Sequence, residues 1–108
     1  MELGLKGKVA IVGGSSRGIG KAIALALAQE GCDVAICARG QADLEATAEE
    51  IRSRTGARVL PLVCDMSSYA DIQRLVHQTA ETFGRIDIVV NNAGGPPLGT
   101  FDDFGEEE

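Results

Sequence analysis

Short apolar runs alternate along this chain with longer segments of helical period, and that alternation constrains its fold more than any other feature. Val9–Val12 is a continuous apolar run that ends in two glycines. Ile19–Glu30 follows, rich in Ala and Leu, with Ile19, Ile23, Ala26 and Leu27 predicted on one helical face. Gly31 closes it, and Val34–Cys37 is a second strand-like run. From Gln41 to Thr55 the spacing of Leu44, Ala48 and Ile51 predicts another helix, ended by Gly56. Val59–Val63 is the third run, with Pro61 arguing against a central strand. Ser68 is a candidate helix cap, with Asp71 three residues on as the other half of a capping box. Ile72, Leu75, Val76, Thr79 and Phe83 form the stripe of a third helix, Gly84 terminates it, and Ile86–Val90 is the fourth run.

The reading is βαβαβαβ. Strands alternating with helices imply an α/β, doubly wound parallel sheet, because each crossover must return the chain to the same end. Strands covered on both faces read as continuous apolar runs rather than as alternating ones. With 108 residues there is material for one domain. Residues 1–108 are read as a single domain, with 95–108 as a loop and the acidic start of an unfinished helix.

The net charge of −6 is local. Asp102, Asp103, Glu106, Glu107 and Glu108 fall in the last seven residues, and the rest is near neutral. No basic field for nucleic acid is present, and without tryptophan there is little to stack on bases. Cys32, Cys37 and Cys64 are odd in number and lack CxxC spacing, which argues against a disulfide framework or a zinc site. No run approaches the roughly 18 apolar residues of a membrane span, and a cytoplasmic protein is expected.

Gly13-Gly14-Ser15-Ser16-Arg17-Gly18-Ile19-Gly20 joins the first strand to the first helix. Such a junction offers unpaired N–H groups and the positive end of a helix dipole, both suited to a phosphate. Two familiar patterns fail. Ile23 stands where GxGxxG needs its last glycine, and aligning Gly20-Lys21 on a P-loop puts Ser15 and Ala22 at required positions. What remains is GxxxGxG from Gly14 to Gly20.

Gly14-x-x-x-Gly18-x-Gly20, followed much later by Asn91-Asn92-Ala93-Gly94, resembles the short-chain dehydrogenase/reductase family over essentially the whole chain. The nearest branch includes 3-oxoacyl-carrier-protein reductases and glucose-dehydrogenase-like enzymes. The sequence departs from the family at Gly13, where a threonine usually ties the loop to the Asn-Asn-Ala-Gly segment. The resemblance implies a Rossmann-type sheet of order 3-2-1-4 with the cofactor beyond the carboxyl ends of its strands. It implies a cofactor site of Gly14, Ser15, Ser16, Arg17, Gly18, Ile19, Gly20, Arg39, Asp65, Met66, Asn92, Ala93 and Gly94. Asp65 and Met66 would meet adenine, and Asn92 to Gly94 the ribose and nicotinamide side.

An NAD-preferring site usually has an acid after its second strand. In the family's register that position is Ala38, and Arg39 and Arg17 instead suit the 2′-phosphate of NADP(H). The family's chemistry needs a serine and a tyrosine with a lysine four residues on. The single tyrosine, Tyr69, has Gln73 there and is read as structural, while His77 is read as a solvated or partly packed helix residue. The expectation is the NADP(H)-binding portion of an oxidoreductase that interconverts a carbonyl and an alcohol, inactive by itself. A longer form would be a homo-oligomer acting on a small molecule, with no role for nucleic acid or membrane. The alternative is a stand-alone nucleotide-binding or interaction module.

Overall fold

The computed structural model describes residues 4–16 and 18–91. The elements are β1 (Val9–Gly13), α1 (Gly18–Gln29), β2 (Asp33–Ala38), α2 (Gln41–Thr55), β3 (Val59–Val63), α3 (Tyr69–Phe83) and β4 (Ile88–Val90). The readings that fall on Arg17, on Asn92 to Gly94 and on 95–108 lie outside the described residues.

The sheet order is β3-β2-β1-β4, and every pairing is parallel. Val9 pairs with Asp33 and Val12 with Ile36 on one side of β1, while Ala10 pairs with Ile88 and Val12 with Val90 on the other. Successive side chains feed opposite layers. Ala10, Val12, Val34 and Ile36 pack with Ala24, Ala28, Leu44, Ala48 and Ile51 of α1 and α2. Ile11, Ala35 and Cys37 pack with Cys64 and Leu75 on the α3 side. All five residues of β1 are buried, which accounts for its unbroken apolar run. Pro61 sits in edge strand β3, where a missing N–H breaks no second ladder.

Two helix faces differ from expectation. α1 buries Gly20, Ala24 and Ala28, whereas Ile19 is 72% exposed and Ala26 also faces solvent. The small side chains let the helix axis lie close to the sheet, and Ile23 and Leu27 cover only the flank of that contact. On α3 only Leu75 and Thr79 of the predicted stripe are fully buried; Ile72 and Phe83 are half-buried and Val76 is exposed.

The capping box also resolves differently. Ser68 Oγ accepts from Asp71 N at 3.2 Å, as a cap should. Ser68 N is already committed to Asp65 O at 2.9 Å, so Asp71 Oδ2 reaches past it to accept from Asp65 N at 2.8 Å. The helix start is thereby fastened to the end of β3.

β4 begins two residues later than the apolar run. Asp87 N donates to Val9 O at 2.8 Å, but Val9 N donates to Asp87 Oδ2, 2.9 Å away, so a carboxylate stands in for a ladder carbonyl. Arg85 binds the same carboxylate with two nitrogens, at 2.8 and 2.9 Å. The Arg85 guanidinium first, then the Val9 N–H, hold Asp87 below the usual carboxylate range. Such a group stabilises fully above its unfolded pKa, and the contribution is lost as pH falls through the lower folded value. Stability is therefore expected to fall as pH drops below about 4, and Asp87→Asn should flatten that fall. Glu50 and Asp65 are also held low, so part of the slope remains in the variant. Urea midpoints across pH for both proteins check this; identical slopes would exclude Asp87 as a contributor.

Candidate dinucleotide site

Because the strands are parallel, their carboxyl ends open on one edge of the sheet. β1 delivers the glycine loop there, β2 delivers Arg39, β3 delivers Asp65 and Met66, and β4 ends at Val90. β1 lies between β2 and β4, so the strand order reverses at the loop.

Gly14 and Gly18 have φ of +63° and +65°, the left-handed region where a Cβ is strained. Among the described residues, a Cβ built on Gly18 would meet nothing within 4 Å, so they leave the backbone at the start of α1 uncovered. The first turn of α1 carries no acid, which leaves the positive end of its dipole unopposed by its own side chains. Ile19 is exposed beside this opening, while Gly20 is buried under α1.

Ser15 does not face the opening. It is fully buried; its N donates to Cys37 O at 3.0 Å, and its Oγ accepts from Cys37 N at 3.1 Å and donates to Val12 O. This exchange ties the loop to the end of β2. Ser16 is half-buried, and its carbonyl accepts from Thr47 Oγ1 of α2 at 2.9 Å. Sequence reasoning missed Thr47. The available signal was a lone hydroxyl beside Leu44, Ala48 and Ile51 on the buried face of α2.

Arg39 is exposed at the tip of β2. Asp65 Oδ1 accepts from Ser67 N at 2.9 Å and Ser67 Oγ at 2.7 Å, a local turn. Those bonds, with a smaller contribution from the Arg39 charge, hold its carboxyl below the usual range. Met66 packs inward: its Sδ accepts from Cys37 Sγ at 3.4 Å, and its Cε stands 3.0 Å from where a Cβ on Gly13 would sit. Met66 thus fills the room that a side chain at position 13 would need. The described part of the site therefore brings together the glycine loop, Arg39, Asp65 and Met66.

Residues 8–108 match the short chain dehydrogenase family. The chain belongs to that family. An uncharacterized oxidoreductase of Mycobacterium tuberculosis is 45% identical over 91 residues, which are 84% of this chain and 34% of that protein. The fold superposes at a TM-score of 0.86 on L-sorbose reductase from Gluconobacter frateurii, complexed with NADPH and L-sorbose. That match has 37% identity and covers 95% of this chain and 39% of that one. An NAD+-bound xylitol dehydrogenase matches at a TM-score of 0.81 with 34% identity, over 86% of this chain and 35% of its own. The chain thus spans only 34 to 39% of the length of these relatives.

Away from the site, Tyr69 opens α3 and is 75% exposed, so it packs little against the fold. His77 is exposed on α3 and faces Glu81 at 3.5 Å. Among the described residues no helix is long and apolar enough to cross a membrane, and no three His, Cys, Asp or Glu side chains could hold a metal ion.

The three thiols are free and buried. Burial first, then the neighbouring Cys64, push the Cys37 thiol up to about 12, and burial raises Cys32 and Cys64 as well. Thiolate is the reactive form, so all three should resist a disulfide reagent at pH 8 in the folded protein. All three should react at once in denaturant. Rapid native labelling of any of them would contradict the buried placement.

Proposed function

We propose that this chain binds NADP(H) across the carboxyl edge of its sheet, as the cofactor-holding part of an oxidoreductase that interconverts a carbonyl and an alcohol. When bound, the nicotinamide supplies or accepts the hydride. This chain's own residues bind and orient: the loop from Gly14 to Gly20 takes the pyrophosphate, with the buried Ser15 holding the loop's shape rather than touching it, and Arg39 with Arg17 takes the 2′-phosphate. Asp65 and Met66 border the adenine side, and Asn92, Ala93 and Gly94 the ribose and nicotinamide side. No catalytic group is assigned to this chain.

The observation that carries the reading is the tip of β2. Ala38 ends the strand where an acid would select a free ribose hydroxyl, and the exposed Arg39 follows it. The open face of Gly18 supports the phosphate half, since a backbone that no described side chain covers admits an anion to the helix N-terminus. The sorbose reductase was solved with NADPH, which favours the same choice, whereas the xylitol dehydrogenase holds NAD+, so the family alone does not decide it.

A charge-assisted contact contributes about 1.5–3 kcal/mol, so even one implies a preference of roughly 10- to 150-fold. Titration of the chain should show NADPH bound more tightly than NADH by at least the lower figure. Arg39→Ala should lose NADPH affinity by a similar factor while NADH affinity stays within about twofold. Equal losses for both would overturn the NADP assignment.

Gly18→Val probes the phosphate half separately. A side chain at φ +65° costs about 1–2 kcal/mol, and its branches would project into the open face. Helix content by circular dichroism should stay near wild type while calorimetry shows no dinucleotide binding. Undiminished binding would remove the loop from the phosphate site.

A further inference from the structure

Thr47 spends its hydroxyl unlike two other helical threonines. Thr55 donates to Ile51 O at 2.8 Å and Thr79 to Leu75 O at 2.7 Å, each the carbonyl four residues back in its own helix. That bond is open to any helical threonine and needs no tertiary partner. Thr47, 2% exposed, donates instead to Ser16 O at 2.9 Å, across 31 residues of sequence. It stands among Leu44, Ala48 and Ile51, on the face of α2 that packs into the core, where an apolar side chain is the rule. Its polar atom therefore answers to the loop and not to the helix.

The bond matters because of where Ser16 lies. It is inside a loop with left-handed glycines at Gly14 and Gly18, a backbone that resists reorientation little. A peptide is planar and trans, so its C=O and N–H point opposite ways. A plane that turned over in this loop would offer a carbonyl oxygen where a phosphate requires a donor. Drawing the Ser16 carbonyl onto α2 removes that alternative.

We infer that Thr47 is a positioning residue for dinucleotide binding: its buried hydroxyl latches the Ser16 carbonyl to α2 and keeps that oxygen out of the phosphate site. The inference rests on the dinucleotide reading above. The latch acts on the part of the ligand that NADPH and NADH share, so it sets affinity for both. Arg39, in contrast, sets the choice between them.

The test titrates NADPH and NADH into the wild-type chain and into Thr47→Val and Thr47→Ser, with circular dichroism confirming that each is folded. Loss of one net hydrogen bond predicts a weakening of roughly three- to tenfold for both nucleotides in Thr47→Val. Thr47→Ser keeps the hydroxyl and should stay within about twofold of wild type. A lower melting temperature alone does not change the affinity of a protein that is still fully folded, so a merely structural threonine would leave binding unchanged. Should Thr47→Val fail to fold, Thr47→Ser and Thr47→Ala differ by the hydroxyl alone and carry the same comparison. Wild-type affinity in the folded valine or alanine variant would overturn the latch. A loss confined to NADPH would overturn it too, since that would trace to the 2′-phosphate. A wild-type chain that binds neither nucleotide would instead overturn the dinucleotide reading, and the latch with it.

Discussion

Parallel pairing on both sides of β1 is the constraint from which the rest of the architecture follows. Parallel neighbours cannot be joined by tight turns, so each connection becomes a helical crossover that brings the chain back to the same end of the sheet. Both faces of β1 are then covered, and its five residues can be apolar without interruption. The same constraint gathers all four strand ends on one edge. A glycine loop, an arginine, an acid and a methionine from distant parts of the sequence become neighbours there because the sheet allows them no other exit.

Holding that edge in shape falls to a few polar bonds beneath it. A glycine-rich loop has little conformational preference of its own, so its geometry must come from what it touches. Ser15 fastens it to the end of β2 through a two-way exchange with Cys37, and Thr47 fastens the next residue to α2. α2 can act as an anchor because Leu44, Ala48 and Ile51 seat it in the core. Met66 fills the space over Gly13 and contacts the Cys37 thiol, which joins the ends of β1, β2 and β3 in one packed group. Of the two loop serines, one is wholly consumed by the fold. Among the described residues, the backbone at Gly18 and the side chains of Ile19, Arg39 and Asn91 are exposed at that edge.

The amino-acid sequence by itself determined the order and kind of the elements. Short apolar runs and 3.6-residue periods are local signals, and glycines mark the ends. α2 therefore has the expected bounds, and β1, β2 and β3 agree within a residue or two. Strand order 3-2-1-4 was legible through the family's motifs, because the glycine loop and the Asn-Asn-Ala-Gly segment specify which strands flank the crevice. The tertiary structure decided which faces are buried and what the polar side chains do. Periodicity marks an apolar stripe but not how close a helix lies to its sheet, so it chose Ile19 and Ala26 where close approach selects Gly20, Ala24 and Ala28. β4 starts at Ile88 because the Asp87 carboxylate replaces a ladder carbonyl, a substitution visible only once Val9 is beside it. Ser15, Thr47 and Met66 each had several possible partners along the chain. Hydrogen bonds and close packing act over about 3–4 Å, so their partners were settled only when folding brought Cys37, Ser16 and Gly13 within that reach.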